Sequence, residues 1–512
     1  MIVFIEPVSK NTGMYVPAYP LPLMEIASFV KAEKSNIDIE VISISVDYGL
    51  PLTKEGRDKI YEELIKDLLE MKPRGIGISC TAISQAEETI YLCEYIKTHN
   101  PEFFIFLGGY FPTIYYEEIF CRTSAVDLIV IGEGEIPALK IVEHLEKGQD
   151  PRCKDIPNLS WKQDEEIIFT EQGVRFDLKN KAILNLDLLR YPRAYDVLPY
   201  SFSRGCPYNC NFCMESYIRP IRREVPFDIV QDDLKNLSQS GNANTLIVCD
   251  ALFKSYDIAP LLRDLGMKMN FETRCDVLDP SILPEIADVC GMLVLGFESA
   301  SYDTLKRMNK VKDKFHYEKY IAGAKTIFRE ATKQGIPVTV FMIAGYPGDS
   351  ESDLEESLSF VKELSKADGS GGYIFKIGEC HVYPNTDIHK LAQSLPDVVF
   401  DDDGVFGQNV VRQPSNNLDF DTILKYTQVI YSLPNHTSTL QEAFLSMMPF
   451  FSLPVQALQD ELIPLTCFKD KQRDIFEVQS ESFSIFRKLV PELSEKYREW
   501  KHKDRITRIL SF

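Results

Sequence analysis

Two long stretches of the chain alternate short apolar runs with segments of helical periodicity, and this alternation restricts the fold more than any other feature. In residues 1–150 the run IVFIEPV precedes the helical segment PLMEIASFVKA, and the pattern recurs as far as IPALKIVEHLEKG. Strands that alternate with helices of about 10–15 residues form parallel βαβ units. Residues 1–150 are therefore expected to form a doubly wound, Rossmann-like α/β domain, which binds ligands at the carboxyl ends of its strands.

A second alternating stretch begins at residue 196. Six apolar runs predict six strands: YSFSRG, TLIVCD, MNFETR, MLVLGFE, VTVFMIAG and YIFKIGECHV. Such units form a partial (β/α)6 barrel over residues 196–405, in which the loops after the strands carry the chemistry. Residues 151–195 are expected to be a linker with a small strand pair, LSWKQDEEIIFT. Residues 406–512 are expected to be a helical C-terminal domain interrupted by prolines.

The charge and the cysteines restrict the partners and the compartment. The 512 residues carry a formal net charge of −20, which disfavours nucleic acid because its binding depends on Lys and Arg at the phosphates. No window reaches about 18 uninterrupted apolar residues, so no transmembrane segment is expected. The start of the chain has too short an apolar run for a signal peptide. A cytoplasmic protein is expected, and its twelve cysteines are then free thiols or metal ligands.

Three of these cysteines cluster in CPYNCNFC, which contains Cys206, Cys210 and Cys213. One alternative is a structural zinc site, but zinc needs four ligands and no second cysteine pair or matching histidine pair is present. Three thiolates suit a cubane [4Fe–4S] cluster in which one iron keeps an open position.

The C-x3-C-x2-C spacing, with Phe212 just before the last cysteine, resembles the radical S-adenosylmethionine (SAM) superfamily. The resemblance implies that Cys206, Cys210 and Cys213 hold a [4Fe–4S] cluster and that SAM chelates the open iron. It also implies cleavage of SAM to a 5′-deoxyadenosyl radical. The cluster loop follows the first strand of the barrel, as the resemblance requires.

The resemblance also assigns contacts to SAM, and these come from four segments. Glu272 would bind ribose hydroxyls and Arg274 a carboxylate, although a structural salt bridge is an alternative for Arg274. The usual GGE signature after the second strand is replaced by CDALF, where Asp250 would take the amino group or would cap a helix instead. The remaining assignments, from the fourth and fifth strand ends, are Glu298, Ser299, Ser301, Gly345, Pro347 and Gly348.

The first domain resembles a cobalamin-binding domain. Its candidate contacts follow successive strands and are Ser79, Thr81, Gly108, Gly109 and Glu133. No histidine precedes His99, so no histidine of the first loop can be a lower ligand to cobalt. The same absence fits a vestigial domain that binds no cobalamin.

These resemblances predict a cobalamin-dependent radical SAM enzyme that methylates an unactivated carbon of a small molecule, such as a natural-product or lipid intermediate, through methylcobalamin. An external electron donor of the flavodoxin or ferredoxin type is implied. The alternatives are a cyclase, rearrangement or coupling enzyme with or without cobalamin, and a non-catalytic iron–sulfur electron-transfer or sensing protein. A second cluster at Cys80, Cys93 and Cys121, similar to that of the transfer-RNA methylthiotransferases, is disfavoured by the spacing.

Overall fold

The computed structural model describes residues 1–8, 19–49, 54–81, 85–195, 198–240, 245–366, 373–384, 386–400 and 409–431. Two compact units divide them. The described residues of Met1–Asp196 and Pro226–Ala243 form the first unit, and those of Val197–Val225 and Asn244–Phe451 form the second. Most of the predicted C-terminal domain, from 432 to 512, lies outside the described residues.

The first unit is built on one twisted sheet whose strands are short and largely buried. Its strands are β1 (Ile2–Glu6), β2 (Ile39–Ser43), β3 (Gly75–Ser79), β4 (Ile105–Gly108), β5 (Leu128–Val130), β6 (Leu159–Gln163) and β7 (Glu166–Phe169). Their order is β2-β1-β3-β4-β5-β6-β7. The first five pair in parallel, which confirms the doubly wound α/β domain.

Helices connect these parallel strands, as the periodicity predicted. They are α1 (Leu21–Glu33), α2 (Ile44–Asp47), α3 (Lys54–Met71), α4 (Ala86–His99), α5 (Tyr110–Ile114), α6 (Tyr116–Arg122) and α7 (Glu135–Glu146). Each apolar face is buried against the sheet; in α1, for example, Leu23, Met24 and Val30 are almost inaccessible to water. Because the strands are parallel, their carboxyl ends lie along one edge, where the candidate cobalamin residues are found.

The segment 151–195, expected to be a linker, is joined closely to the first unit. Its predicted strand pair exists as β6 and β7, which extend the sheet in antiparallel fashion from β5. Further along, Lys181 Nζ lies 2.6 Å from Asp233 Oδ2, and both side chains are buried. Asp233 belongs to α9 (Phe227–Ser240) and also accepts the Leu184 backbone N–H at 2.7 Å. A buried, hydrogen-bonded ion pair thus fixes the segment to this unit.

The second unit contains a six-stranded parallel sheet and two small ribbons. Its strands are β8 (Leu198–Tyr200), β9 (Ser203–Arg204), β10 (Arg223–Glu224), β11 (Thr245–Val248), β12 (Lys268–Arg274), β13 (Cys290–Glu298), β14 (Val338–Ala344), β15 (Tyr373–Glu379), β16 (Val399–Phe400) and β17 (Val411–Gln413). The six-stranded order is β15-β14-β13-β12-β11-β8, so neighbours in sequence are neighbours in space. This order confirms the partial (β/α)6 barrel.

Helices follow most strands of this sheet. They are α8 (Met214–Ile218), α10 (Ala259–Leu265), α11 (Leu283–Ile286), α12 (Tyr302–Arg307), α13 (Lys314–Lys333), α14 (Glu351–Leu364), α15 (Asp387–Ser394) and α16 (Phe420–Tyr431). Side-chain caps fix several starts: Asp313 accepts the His316 N–H at the start of α13, and Ser350 with Asp353 forms a capping box at α14. No helix in the described part of the chain is both long and apolar enough to cross a membrane.

Alternation along the strands separates two faces of this sheet. On one face the side chains are buried almost completely, as Leu293, Leu295 and Phe297 show in β13. The other, concave face is buried at Asn270, near the amino ends of the strands, and is open to solvent at Glu272 and Lys376. Arg274 and Gly296, at the carboxyl ends of β12 and β13, are buried. The candidate SAM residues therefore lie on or just beyond the carboxyl half of a concave surface that is partly open.

Candidate active site

The three clustered cysteines lie on one loop that backbone contacts hold in place. The Cys206 N–H donates to the Arg219 carbonyl at 3.0 Å, and the Cys213 N–H donates to the Cys210 carbonyl at 3.1 Å. The Ser216 hydroxyl donates to the carbonyls of Cys210 and Cys213 at 3.1 and 2.8 Å. The loop is therefore preorganised by the short helix α8 that follows it.

The backbone geometry directly before the loop requires a glycine, Gly205. Its φ is +86°, and a Cβ there would collide with the backbone carbonyls of Ile221 and Arg219. The loop therefore packs backbone against backbone on the segment that leads to β10.

The thiols of the loop are shielded from water. Burial raises the pKa of Cys206 above its ordinary value, and burial raises the pKa of Cys213 to about 11. Without a bound cation both side chains are thus held as neutral thiols at neutral pH. Since thiolates are the ligands, metal binding must release these protons.

Arg274, at the end of β12, ties this loop to the sheet. Its guanidinium donates to Cys210 Sγ at 3.2 Å, to both oxygens of Asp276 at 2.9 Å and to the Lys310 carbonyl at 3.0 Å. It also stacks on Tyr208, within the cysteine loop, at 4.0 Å from the ring centroid. Arg274 therefore forms the structural salt bridge that was the alternative to a SAM contact. The pairing of Arg274 with the SAM carboxylate stays a prediction.

A cluster of two carboxylates and one ammonium lies beside it, in which Glu298 and Lys310 are buried and Glu272 is open to solvent on one side. Lys310 Nζ donates to Glu298 Oε1 and to the Gly296 carbonyl, both at 2.5 Å. Glu272 faces the same space. The surrounding protein removes part of the hydration of Glu272 and raises its pKa to about 7, the negative charge of Glu298 adds to the rise, and Lys310 opposes it. Lys310 is the site residue that the sequence reasoning missed; its position in MNKVKDK carries no pattern that separates it from a surface lysine.

Glu298 has an unusual backbone. Its φ is +69°, a left-handed value rare outside glycine, and the pairing of β13 with β14 shifts register between Gly296 and Glu298. Strained non-glycine residues of this kind concentrate at functional sites. The irregularity turns the Glu298 carboxylate toward Lys310, so Glu298, which the resemblance assigned to SAM, also has an unusual geometry.

Three other residues assigned to SAM make hydrogen bonds within the protein. Both Asp250 oxygens accept hydrogen bonds from Phe202 N–H and Ser203 Oγ, at 2.8 and 2.5 Å, and burial raises the pKa of Asp250 to about 6. The Ser299 hydroxyl lies 3.2 Å from that of Ser357, and Ser301 caps α12. Asp250 thus braces the strand that leads to the cysteine loop; SAM contacts for these residues stay predictions.

The turn after β14 contains three of the residues assigned to SAM. Gly345 and Gly348 have φ values of +76° and +86°, and Pro347 between them is buried. A Cβ on Gly345 would lie 2.5 Å from Ile423 Cδ1 in α16. Only glycine fits there, and the backbone can approach a flat ligand closely.

In the first unit, the candidate cobalamin residues follow three adjacent strands, β3, β4 and β5. Gly109 has a φ of +117°, and a Cβ there would collide with the Cys80 carbonyl. Gly108 is the opposite case, because a Cβ there would meet nothing closer than 3.9 Å. Thr81 donates its N–H to Gln85 Oε1 at 3.0 Å, whereas Glu133 accepts the Phe176 N–H at 2.8 Å. Ser79, at the end of β3, is half-buried.

Glu6 lies at the same edge, after β1, and was not predicted. It accepts a hydrogen bond from Ser43 Oγ at 2.8 Å. Burial raises the pKa of Glu6 to about 7, and the nearby Asp47 carboxylate raises it further against the effect of Ser43. The carboxyl edge of the sheet therefore combines small residues with a carboxyl group that titrates near neutrality.

Cys80, Cys93 and Cys121 do not form a second cysteine site. Cys80 and Cys93 are fully buried in the core, at the end of β3 and within α4, whereas Cys121 is exposed on α6. Across the described residues, no three His, Cys, Asp or Glu side chains converge on one metal ion. A zinc ion needs such convergence, whereas the three cysteines of a cubane bind three different irons.

Comparison with known proteins agrees with this geometry. The family model of the radical SAM superfamily matches residues 200–361, and that of the B12 binding domain matches residues 14–142. The chain belongs to the cobalamin-binding radical SAM enzymes. The cofactors of this family are a [4Fe–4S] cluster, SAM and cobalamin.

Curated relatives share about a quarter of their residues with this radical SAM protein. An uncharacterized methyltransferase of Pyrococcus horikoshii, PH0819, is 25% identical over 67% of the chain and 73% of its own length. The anaerobic magnesium-protoporphyrin IX monomethyl ester cyclase of Synechocystis is 24% identical over 60% of the chain and 63% of its own length. The hopanoid C-3 methylase of Methylococcus capsulatus is 24% identical over 51% of the chain and 52% of its own length.

Two solved structures share the fold of this radical SAM protein. The methyltransferase TsrM from Kitasatospora setae, with cobalamin and a [4Fe–4S] cluster bound, gives a TM-score of 0.64 at 12% identity over 96% of the chain and 99% of its own. The cobalamin-dependent SAM radical enzyme OxsB gives a TM-score of 0.64 at 16% identity, and the match covers 100% of this chain and 82% of the OxsB chain.

The residues present fit the family's cofactors. Cys206, Cys210 and Cys213 form a shielded loop with an arginine donor on one sulfur, as an iron–sulfur cluster requires. The concave face beside it offers Glu272 and Glu298 to a nucleoside. The glycine-lined carboxyl edge of the first sheet leaves room at Gly108, which suits the tail of cobalamin.

Proposed function

We propose that this protein is a SAM- and cobalamin-dependent methyltransferase that acts on an unactivated carbon of a small molecule. The observation that carries the proposal is the lack of a histidine at the carboxyl edge of the first sheet. His99 and His144, the two histidines of residues 1–196, lie at the ends of α4 and α7. Helices run antiparallel to the strands in βαβ units, so both histidines belong to the opposite edge.

Cobalamin held at this edge would supply the methyl-transfer chemistry, and neither His99 nor His144 would be placed to bind its cobalt. That chemistry belongs to the cofactor, and the chain supplies binding and orientation. The relatives named as methyltransferase and methylase support the proposal.

The chain's own residues have distinct tasks in this proposal. Cys206, Cys210 and Cys213 hold the cluster as thiolates, and the Arg274 guanidinium lowers the negative charge on the Cys210 sulfur. Glu272 and Glu298 would accept hydrogen bonds from the ribose hydroxyls of SAM, and the hydrogen bond from Lys310 holds the Glu298 carboxylate in place. The turn at Gly345, Pro347 and Gly348 brings backbone groups to the adenine.

Other properties follow from this chemistry as parts of the proposal. The cluster needs an external one-electron donor of the flavodoxin or ferredoxin type. A cytoplasmic location suits both the reduced cluster and the free thiols, of which Cys121 and Cys249 are exposed.

A second candidate is radical cyclisation, because a relative of similar coverage is named as a cyclase. The two candidates differ in what happens to the methyl group of SAM. In the cyclase no methyl group passes to cobalamin.

An isotope experiment tests the proposal without knowledge of the substrate. The anaerobically reconstituted enzyme is reduced and supplied with SAM bearing a trideuterated methyl group. Recovery of the label with the extracted cobalamin is expected, and mass spectrometry measures it. Formation of 5′-deoxyadenosine with no label in the cobalamin would refute methyl transfer and favour the cyclase. The control is protein with Cys206, Cys210 and Cys213 replaced by alanine, which should form no 5′-deoxyadenosine.

A further inference from the structure

Lys376, in the middle of β15, belongs to the concave face of the barrel. The strand register pairs Lys376 with Phe341, Phe341 with Gly296, and Gly296 with Arg274. Partners in adjacent parallel strands project to the same side. Neighbouring strands lie about 4.8 Å apart, so the backbone of Lys376 is roughly 10 Å from that of Gly296. Lys376 therefore shares the surface on which Glu272 lies.

The surroundings of Lys376 differ from those of Lys310, the lysine of the candidate active site. Lys310 is buried and bonded to Glu298. Lys376 is open to solvent, and no carboxylate of the described residues lies within ion-pair distance of it. The Lys376 ammonium lies over the Phe341 ring, with Nζ 5.3 Å from the ring centroid. Acidic residues outnumber basic ones by 76 to 56 in this chain, so the missing partner does not reflect a scarcity of carboxylates.

The Lys376 ammonium is exposed but is not fully hydrated. Protein around the ammonium removes part of its hydration and lowers the pKa of Lys376 from its ordinary value. A partly desolvated charge without a counter-ion is unfavourable for folding alone. Such groups are retained where a ligand supplies the opposite charge.

The neighbours of Lys376 on the same face leave space and are apolar. Gly378, two residues further along β15, has no side chain, and a Cβ there would meet no atom closer than 3.9 Å. Phe341 and Ile343 of β14 pair with Lys376 and Gly378 and are half-exposed. The surface therefore offers one cation beside an open apolar strip.

We propose that Lys376 binds a negatively charged group of the substrate, a carboxylate or a phosphate, while an apolar part of the same molecule lies against Phe341 and Ile343. This inference rests on the proposed function, because it places the substrate on the face that holds SAM. It narrows the substrate class to small amphipathic acids. The carboxylate of SAM is the other anion that could reach Lys376, and the experiment separates the two.

Pyridoxal 5′-phosphate is a suitable probe, since it is an anionic aldehyde that forms imines with deprotonated amines. The anaerobically reconstituted enzyme is treated with the probe and cyanoborohydride, and labelled peptides are quantified by mass spectrometry. Lys333 is the matched control, because it is 72% exposed on the surface helix α13. Lys376 is expected to react faster than Lys333, because a lowered pKa leaves more of its amine deprotonated. Inorganic pyrophosphate should slow the labelling of Lys376 and leave Lys333 unaffected.

Equal rates for the two lysines, or no protection by pyrophosphate, would overturn the inference. A second arm compares SAM affinity in Lys376→Met and Lys333→Met. Unchanged affinity in both supports a substrate anion, whereas a loss of 10-fold or more in Lys376→Met alone would assign the cation to SAM and overturn the proposal. The labelling requires no turnover, so its result is independent of whether the trideuteromethyl label reaches cobalamin.

Discussion

Lys310 Nζ lies 2.5 Å from Glu298 Oε1, with side chains only 3% and 10% exposed, at a position where the backbone of Glu298 is left-handed. Lys310 comes after α12, and Glu298 ends β13. The pair therefore fixes the end of β13, which is predicted to face SAM, to the loop that supports Arg274 through the Lys310 carbonyl.

Replacing Lys310 by methionine should leave the Glu298 carboxylate buried without its counter-ion. Removing one partner of a buried pair costs on the order of 3–5 kcal/mol. Urea unfolding should show that loss, and Lys333→Met should show almost none. A double-mutant cycle with Glu298→Gln isolates the pair, and additive effects would contradict the coupling.

Replacing Cys206, Cys210 and Cys213 by alanine should abolish the visible absorption and iron content of the reconstituted protein, because the three thiolates are the cluster ligands. Iron analysis and absorption spectra measure this loss. Cys121→Ala is the matched control, since Cys121 is an exposed cysteine on α6. A triple variant that retains about four irons per chain would show the ligand assignment to be wrong.

Replacing Arg274 by methionine should lower the reduction potential of the cluster. A cation that donates a hydrogen bond to the Cys210 sulfur at 3.2 Å favours the reduced, more negative state. A potentiometric titration followed by electron paramagnetic resonance measures the shift. Arg263→Met is the control, because Arg263 pairs with Asp288 at the surface. An unchanged or raised potential in Arg274→Met would contradict the prediction.

Glu272 should make stability depend on pH. Its pKa is about 7 in the folded protein, against an ordinary value of 4.5 in an unfolded chain, so between these values the unfolded chain has lost a proton that the folded protein keeps. Stability from this group is complete below about pH 4.5 and is lost as the pH rises through 7. In cofactor-free protein, Glu272→Gln should melt at the same temperature as the unmodified chain at pH 4.5 and above it at pH 8. Parallel melting curves at every pH would refute this.

Cobalamin should bind without a protein nitrogen on cobalt. No histidine precedes His99, and His99 ends α4 at the edge opposite the proposed site. Electron paramagnetic resonance of the cob(II)alamin form should therefore show cobalt lines that are not split into triplets. Resolved nitrogen splitting would contradict the prediction. Failure to retain cobalamin would instead support a vestigial first domain.

Much of the fold could be predicted because the signals are local. The six strands of the barrel were each marked by an apolar run, and the cluster loop by three cysteines within eight residues. Gly109 and Gly345 were named from the sequence as ligand contacts, and the structure gives both a positive φ. The strand pair in segment 151–195 was recognised, but its membership of the first sheet was not.

The sequence by itself determined the order of the elements, the candidate cysteine ligands and the absence of a histidine before residue 99. Tertiary structure alone decided which charges meet. Lys310 and Lys376 are both lysines in unremarkable local sequence, yet one is buried against Glu298 and the other faces the concave surface without a carboxylate among the described residues. The physical reason is that periodicity reports only which side of an element is apolar. Contacts between strands distant in sequence depend on the register of the sheet, and burial then sets the pKa of each group.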